Sequence, residues 1–160
     1  MTPRREETIA LFLFLLACLA AGAIGSLVTT PAVEGWYQGI QKPTWTPPNQ
    51  VFGPVWGTLY IMMAFAGWLA WRQSRRTGAR LPVVAFCVQL VLNTAWSFCF
   101  FGLRNPAAGF IEIVILWCAV VATTVIFFRV SRAAGLLFVP YLAWVTFAAA
   151  LNFAVWRLNA

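Results

Sequence analysis

The 160-residue chain is 62% hydrophobic and 9% charged, with a mean hydropathy of +0.81 and a net charge of +7, values that exclude an ordinary soluble domain and place it in a bilayer. It contains no His and no Asp, which excludes a Ser-His-Asp triad, an HExxH zinc site, an EF-hand, an aspartyl dyad and haem held by a proximal His. Its excess is in tryptophan, nine residues within a 16% aromatic fraction.

Crossing about 30 Å of hydrocarbon takes roughly 20 apolar residues. Five segments meet that length, approximately residues 9–28, 51–71, 81–103, 106–128 and 133–156, and predict an all-α integral membrane protein built as a five-helix bundle in one domain. In the first segment Ala17, Ala21 and Gly25 recur every four residues, a small-residue spacing that lets membrane helices approach closely. A secretory signal is the competing reading, because Arg4 and Arg5 precede the run and Ala21-Gly22-Ala23 resembles a cleavage site; the length of the run favours a span.

Residues 29–50 form a long first connection. Its stretch from Trp36 to Pro48 holds three prolines, Pro43, Pro47 and Pro48, which fix φ and extend the residues before them. A stiff aromatic segment of this kind is expected to act as a lid. Pro54 falls in the first turn of the second span, where proline is tolerated.

Charge orients the bundle. Arg4, Arg5, Arg72, Arg75, Arg76, Arg80, Arg129 and Arg132 belong to one side, against Lys42, Arg104 and Arg157 on the other, so the N-terminus is expected in the cytoplasm and the C-terminus outside. The +7 is thereby accounted for by topology, without a nucleic-acid partner.

Three spans carry aromatic stripes at helical spacing: Phe52, Trp56, Tyr60 and Met63 on the second; Gln89, Asn93, Trp96 and Phe100 on the third; Tyr141, Trp144, Ala148 and Asn152 on the fifth. Two readings stay open. The stripes are packing surfaces with interhelical amide bonds, or they wall a pocket for a flat, largely apolar ligand. Pro140 frees a backbone carbonyl beside Trp144 and is expected to help shape such a pocket. Trp36, Trp45, Trp71 and Trp156 lie at span ends, where an interfacial belt explains them, whereas Trp56, Trp96, Trp117 and Trp144 lie deeper. Cys18, Cys87, Cys99 and Cys118 lie within spans without CxxC spacing and read as inert small hydrophobes. Glu112 is the one ionisable residue deep in a span, aligned with Leu116, Ala119 and Thr123, and is a candidate for proton or ligand handling beside a purely structural role.

These residues carry a family resemblance. Trp36-Tyr37 through Lys42-Pro43, Trp45, Pro47-Pro48 and Phe52-Gly53-Pro54-Val55-Trp56-Gly57-Thr58-Leu59-Tyr60, then Gln89 to Trp96 with Phe100-Phe101-Gly102, then Val139 to Trp144 and Leu151-Asn152 to Trp156-Arg157, resemble the signature of the TspO/MBR family of translocator and tryptophan-rich sensory proteins, also called peripheral benzodiazepine receptors. The resemblance implies a five-helix bundle, usually a homodimer, that binds or carries tetrapyrroles such as protoporphyrin IX beneath the first loop. It also implies, in relatives, sterols and isoquinoline or benzodiazepine drugs as ligands, and no required cofactor or metal. Its pocket residues fall on Tyr37, Phe52, Trp56, Tyr60, Asn93, Trp96, Trp144 and Ala148, with Trp56 and Trp144 matching residues implicated in light-dependent porphyrin breakdown. That reaction draws on electron-rich indoles rather than a general base. Lys42 is the expected partner of the porphyrin propionates, and a bacterial cell membrane the expected location. Phe153 departs from the family's animal sterol motif, which has Tyr there, and the missing hydroxyl counts against sterol recognition. The alternative function is a small proton-coupled secondary transporter that uses Glu112; a third reading is a packed bundle with no ligand.

Overall fold

The computed structural model describes residues 3–75 and 77–160. It contains six helices: α1 Pro3–Glu34, α2 Trp36–Gly39, α3 Asn49–Ser74, α4 Leu81–Ser97, α5 Pro106–Val130 and α6 Arg132–Leu158. A π-helical turn, Phe98–Gly102, prolongs α4. All but α2 are long and apolar enough to cross a membrane, and the chain is an integral membrane protein of five spans.

Packing closes these into a ring. α1 lies against α3, α3 against α6, α6 against α5, α5 against α4, and α4 back against α1. Two ion pairs, Arg72 with Glu7 at 3.1 Å and Arg75 with Glu6 at 2.5 Å, tie the start of α1 to the end of α3. The Trp68 indole adds a bond of 3.0 Å to the Glu7 carbonyl. Arg76, one of the charges that orient the chain, lies outside the described residues.

Within the spans, threonine hydroxyls are satisfied locally. Thr58, Thr94, Thr123, Thr124 and Thr146 each donate to the carbonyl four residues back, as hydroxyls in apolar helices do. Helix starts are equally local. The Asn105 carboxamide oxygen accepts from the amides of Ala107 and Ala108, with Pro106 at the first helical position, and Ser131 Oγ accepts from Ala134; such caps satisfy amides left free at a helix N-terminus.

The half of the bundle near the ion pairs is solid. Met63, Phe86, Phe127, Phe138 and Val120 are fully buried there, and a methyl on Gly67 would fall 2.9 Å from the rings of Phe14 and Phe86. The other half contains the cavity described below.

Three sequence expectations are corrected. The first helix does not stop at residue 28 but runs to Glu34 through Pro31, because Ala32 and Val33 pack into an aromatic cluster with Tyr37, Phe100 and Phe101, and that burial outweighs the one backbone bond proline removes. The long connection is shortened accordingly. The small-residue face of α1 keeps Ala21 and Gly25, both buried, but Ala17 is exposed and Cys18 is buried in its place, while Gly22 and Gly25 abut Tyr60 and Ser97. Trp117, expected at depth, is 37% exposed on the outer face, where its indole donates to Thr146.

Candidate functional site

The site begins with absent side chains. Gly53 and Gly57 stand one turn apart on α3, and a methyl on either would meet nothing within 4 Å. Facing them, α1 presents Gly22, Ala23, Gly25 and Ser26. These small residues leave a cavity of about 530 Å3, within the roughly 300–1,000 Å3 usual for small-molecule sites. It occupies the half of the ring holding the C-terminal ends of α1, α4 and α6 and the N-terminal end of α3. Exposed residues of α1, Ala23, Ser26, Thr30 and Glu34, and exposed Asn49 and Gly53 of α3 form its open side.

Aromatic residues build the remaining walls. Phe52, Trp56 and Tyr60 line it from α3, Trp96 and Phe100 from α4 and its π turn, and Trp144 from α6. They are held edge-on and tilted: Phe52 lies 5.9 Å from Trp144, Trp56 5.6 Å from Tyr60, and Trp96 stacks on Phe100 at 5.4 Å. The π turn explains how two successive phenylalanines both point inward. Its wider hydrogen bond, from the Leu103 amide to the Phe98 carbonyl at 2.8 Å, turns Phe100 and Phe101 together toward the interior, where both are buried.

Tyr37 closes the end of the cavity. The four-residue helix α2 inserts its ring between Phe100, at 6.1 Å, and Phe101, at 5.6 Å. Burial of that ring raises the Tyr37 phenol above its ordinary pKa, so it stays neutral. The loop that follows is clamped from two sides. Lys42 Nζ lies over the Tyr37 ring at 4.8 Å and donates to the carbonyls of Tyr37 at 2.6 Å and Ile40 at 2.9 Å. Asn159, just past α6, accepts from the Gln41 amide at 3.0 Å and donates to the Gln41 carbonyl at 2.9 Å.

The amides play a structural part. Asn93 accepts from the Tyr60 hydroxyl at 2.7 Å and donates to that of Tyr141 at 3.1 Å, joining α3, α4 and α6. Asn152 accepts from the Trp96 indole at 3.1 Å and donates to the Pro106 carbonyl at 2.8 Å. Among the described residues the buried Trp144 indole N–H has no partner.

All eight residues expected in the pocket, Tyr37, Phe52, Trp56, Tyr60, Asn93, Trp96, Trp144 and Ala148, line this one cavity. Of the other members of the sequence stripes, Phe100 and Asn152 line it as well, and three do not. Met63, Gln89 and Tyr141 are buried in the solid half or behind the wall. Lys42 is absent from the lining, its ammonium directed to backbone carbonyls. Glu112 lies on the buried face of α5, also outside the lining, with both carboxyl oxygens unpartnered among the described residues. The stripes missed the whole α1 wall and the pair Gly53 and Gly57; that glycine spacing of four, repeated opposite small residues of α1, is the signal that identifies them.

Comparison with known proteins agrees with this arrangement. A sequence model of the TspO/MBR family matches residues 14–157. The chain is 45% identical to the tryptophan-rich protein TspO of Archaeoglobus fulgidus, over 91% of this chain and 94% of that one. It is 41% identical to the human translocator protein, over 87% and 86%. With the tryptophan-rich sensory protein of Cereibacter sphaeroides it shares 40% identity over 94% and 92%. Five spans around an aromatic cavity, and a match running almost from end to end, make this chain a member of the TspO/MBR family.

Proposed function

We propose that the protein binds a tetrapyrrole such as protoporphyrin IX, or a flat hydrophobic ligand of similar size, in the cavity beneath the first loop, and serves as its membrane receptor or carrier. One observation carries the proposal: a cavity of about 530 Å3 walled by Phe52, Trp56, Tyr60, Trp96 and Trp144, which offers a planar ring both apolar burial and edge or face contacts with indoles. Trp56 and Trp144 share that wall, so an excited porphyrin there is within reach of two oxidisable rings, and light-dependent breakdown of the ligand is part of the proposal. The test is quenching of Trp fluorescence by protoporphyrin IX in purified protein, followed by illumination. A Trp56→Phe, Trp144→Phe double variant is expected to lose breakdown and to weaken binding; undiminished breakdown overturns the photochemical part, and absence of micromolar binding by the parent protein overturns the whole.

The finer placement belongs to the same proposal. The N-terminus faces the cytoplasm of a bacterial cell and the protein works as a homodimer. Supporting the orientation, Arg72 and Arg75 lie at the same end as Glu6 and Glu7, so the basic residues described there gather on one side. Sided labelling of cysteines introduced at positions 2 and 160 tests it.

A second reading, proton-coupled transport, draws on Glu112. A buried carboxyl with no partner is costly unless protonated, and a site that exchanges that proton has a use in coupling. A Glu112→Gln variant in liposomes is expected to abolish pH-driven uptake while leaving porphyrin quenching intact; uptake that persists removes this reading.

A further inference from the structure

The cavity carries a single charge. Among the described residues that line it, Glu34 alone is ionised, and it sits exposed on the open side at the last residue of α1. No described cation forms an ion pair with it; the two ion pairs belong to the opposite end of the bundle. Lys42, the nearest base in sequence, is bonded to the carbonyls of Tyr37 and Ile40 and covered on one side by the Tyr37 ring. The last turn of α1 contains no basic residue, so its free carbonyls add partial negative charge beside Glu34. The first turn of α3, at Asn49, presents a helix N-terminus of opposite sign. The two helix ends oppose each other and the full charge of Glu34 remains.

We propose that Glu34 is a specificity-determining residue of this cavity, selecting ligands whose solvent-facing end is neutral or cationic over those that end in carboxylates. The inference rests on the binding function proposed above and refines its ligand class. An acid at the mouth does not touch the apolar ring, which the aromatic walls hold; it acts on whatever substituents the ring leaves at the open side. For a diacid porphyrin those are the propionates, and their charges meet Glu34 with no basic side chain in the lining to offset it. The position is exposed, so water and salt weaken the effect, and a unit charge acting over several ångströms there changes affinity by roughly 3- to 10-fold.

The experiment compares protoporphyrin IX with its dimethyl ester, which keeps the ring and removes both charges, by fluorescence quenching of the parent protein and of Glu34→Gln, Glu34→Lys and Lys42→Met variants. The parent is expected to favour the ester. Glu34→Gln is expected to shift the ester-to-diacid ratio by roughly 3- to 10-fold toward the diacid, and Glu34→Lys further, with both shifts shrinking in high salt; Lys42→Met is expected to change both ligands alike. A ratio unmoved by either Glu34 variant overturns the inference while leaving the binding function standing. Selective loss of the diacid in Lys42→Met overturns it in favour of a basic anchor. Failure of the parent to bind either ligand overturns the inference together with the function on which it rests.

Discussion

Removing the carboxamide of Asn159 tests whether the first loop is held over the cavity by a bond made from the far end of the chain. In the folded protein this side chain imitates a neighbouring strand, accepting from the Gln41 amide at 3.0 Å and returning a hydrogen to the Gln41 carbonyl at 2.9 Å. Both partners are exposed, so water competes and each bond contributes toward the low end of about 0.5–1.5 kcal/mol. Losing both in Asn159→Ala therefore costs the docked loop about 1–2 kcal/mol, a factor of roughly 5–30 in its opening equilibrium. The loop does not detach, because the Tyr37 ring between Phe100 and Phe101, the Trp45 ring 5.8 Å from Phe147 and the Lys42 bonds to carbonyls remain. Hydrogen exchange read by mass spectrometry is expected to quicken by that factor for peptides spanning Gln41, with the interiors of α3 to α6 unchanged. Release of a bound porphyrin is expected to quicken in step, since Tyr37 closes the cavity. Asn159→Asp keeps the acceptor but loses the donor, and should show about half the free-energy effect. Exchange at Gln41 equal to that of the parent protein would refute the clamp.

Three further outcomes follow from the same geometry. A Gly57→Leu variant starts its side chain in open space, with no neighbour within 4 Å of the added Cβ, and should keep its melting temperature while weakening porphyrin binding at least about tenfold, measured by fluorescence titration, since the side chain takes up cavity volume. Gly109→Ala should do the reverse: its methyl would lie 2.8 Å from the Phe100 ring and 3.1 Å from Asn152 Oδ1, and overpacking of that kind costs about 1–3 kcal/mol, visible as a lowered thermal midpoint in detergent. For Tyr37, burial raises the phenol pKa, so the folded state holds its proton more tightly than the unfolded state does. Stability from this residue is full below the ordinary phenol pKa of about 10 and falls as pH rises above it. The thermal midpoint should drop as pH rises above about 10 by more in the parent protein than in Tyr37→Phe.

The five spans were legible from apolar run length, and a period of 3.6 put Phe52, Trp56, Tyr60, Asn93, Trp96, Trp144 and Ala148 on stripes without deciding between packing and a cavity wall; Tyr37 lies on no stripe and was expected only from the family resemblance. What escaped those rules was set by packing between elements. Apolar run length ended the first span at residue 28, but the helix continues to Glu34 because Ala32 and Val33 are held in the aromatic cluster, and no local preference reveals that. The periodicity of the third span treated Phe100 as a wall residue and was silent on Phe101. Both face inward because the helix widens to a π turn after Ser97, a change of pitch that a fixed helical period cannot anticipate. The glycines of α3 carry no hydrophobic signal at all, although they make room for the cavity.

The placement of the polar groups changes what the cavity is able to recognise. Asn93 and Asn152, which in sequence look like groups that orient a ligand, each have both oxygen and nitrogen engaged within the bundle, one between two tyrosines and the other between an indole and a backbone carbonyl. The indoles of Trp68, Trp96 and Trp117 are likewise bonded, leaving the Trp144 N–H as the unpartnered buried donor among the described residues at this cavity. A site whose amides are spent on its own walls discriminates by shape and by apolar area, because a ligand of the wrong polarity leaves few protein groups unsatisfied and so incurs little penalty. Such a site accepts ligands of unrelated chemistry when their outlines match. Its binding should then carry a negative heat-capacity change that scales with the apolar surface each ligand buries, and sharper discrimination has to come from the rim, where Glu34 stands.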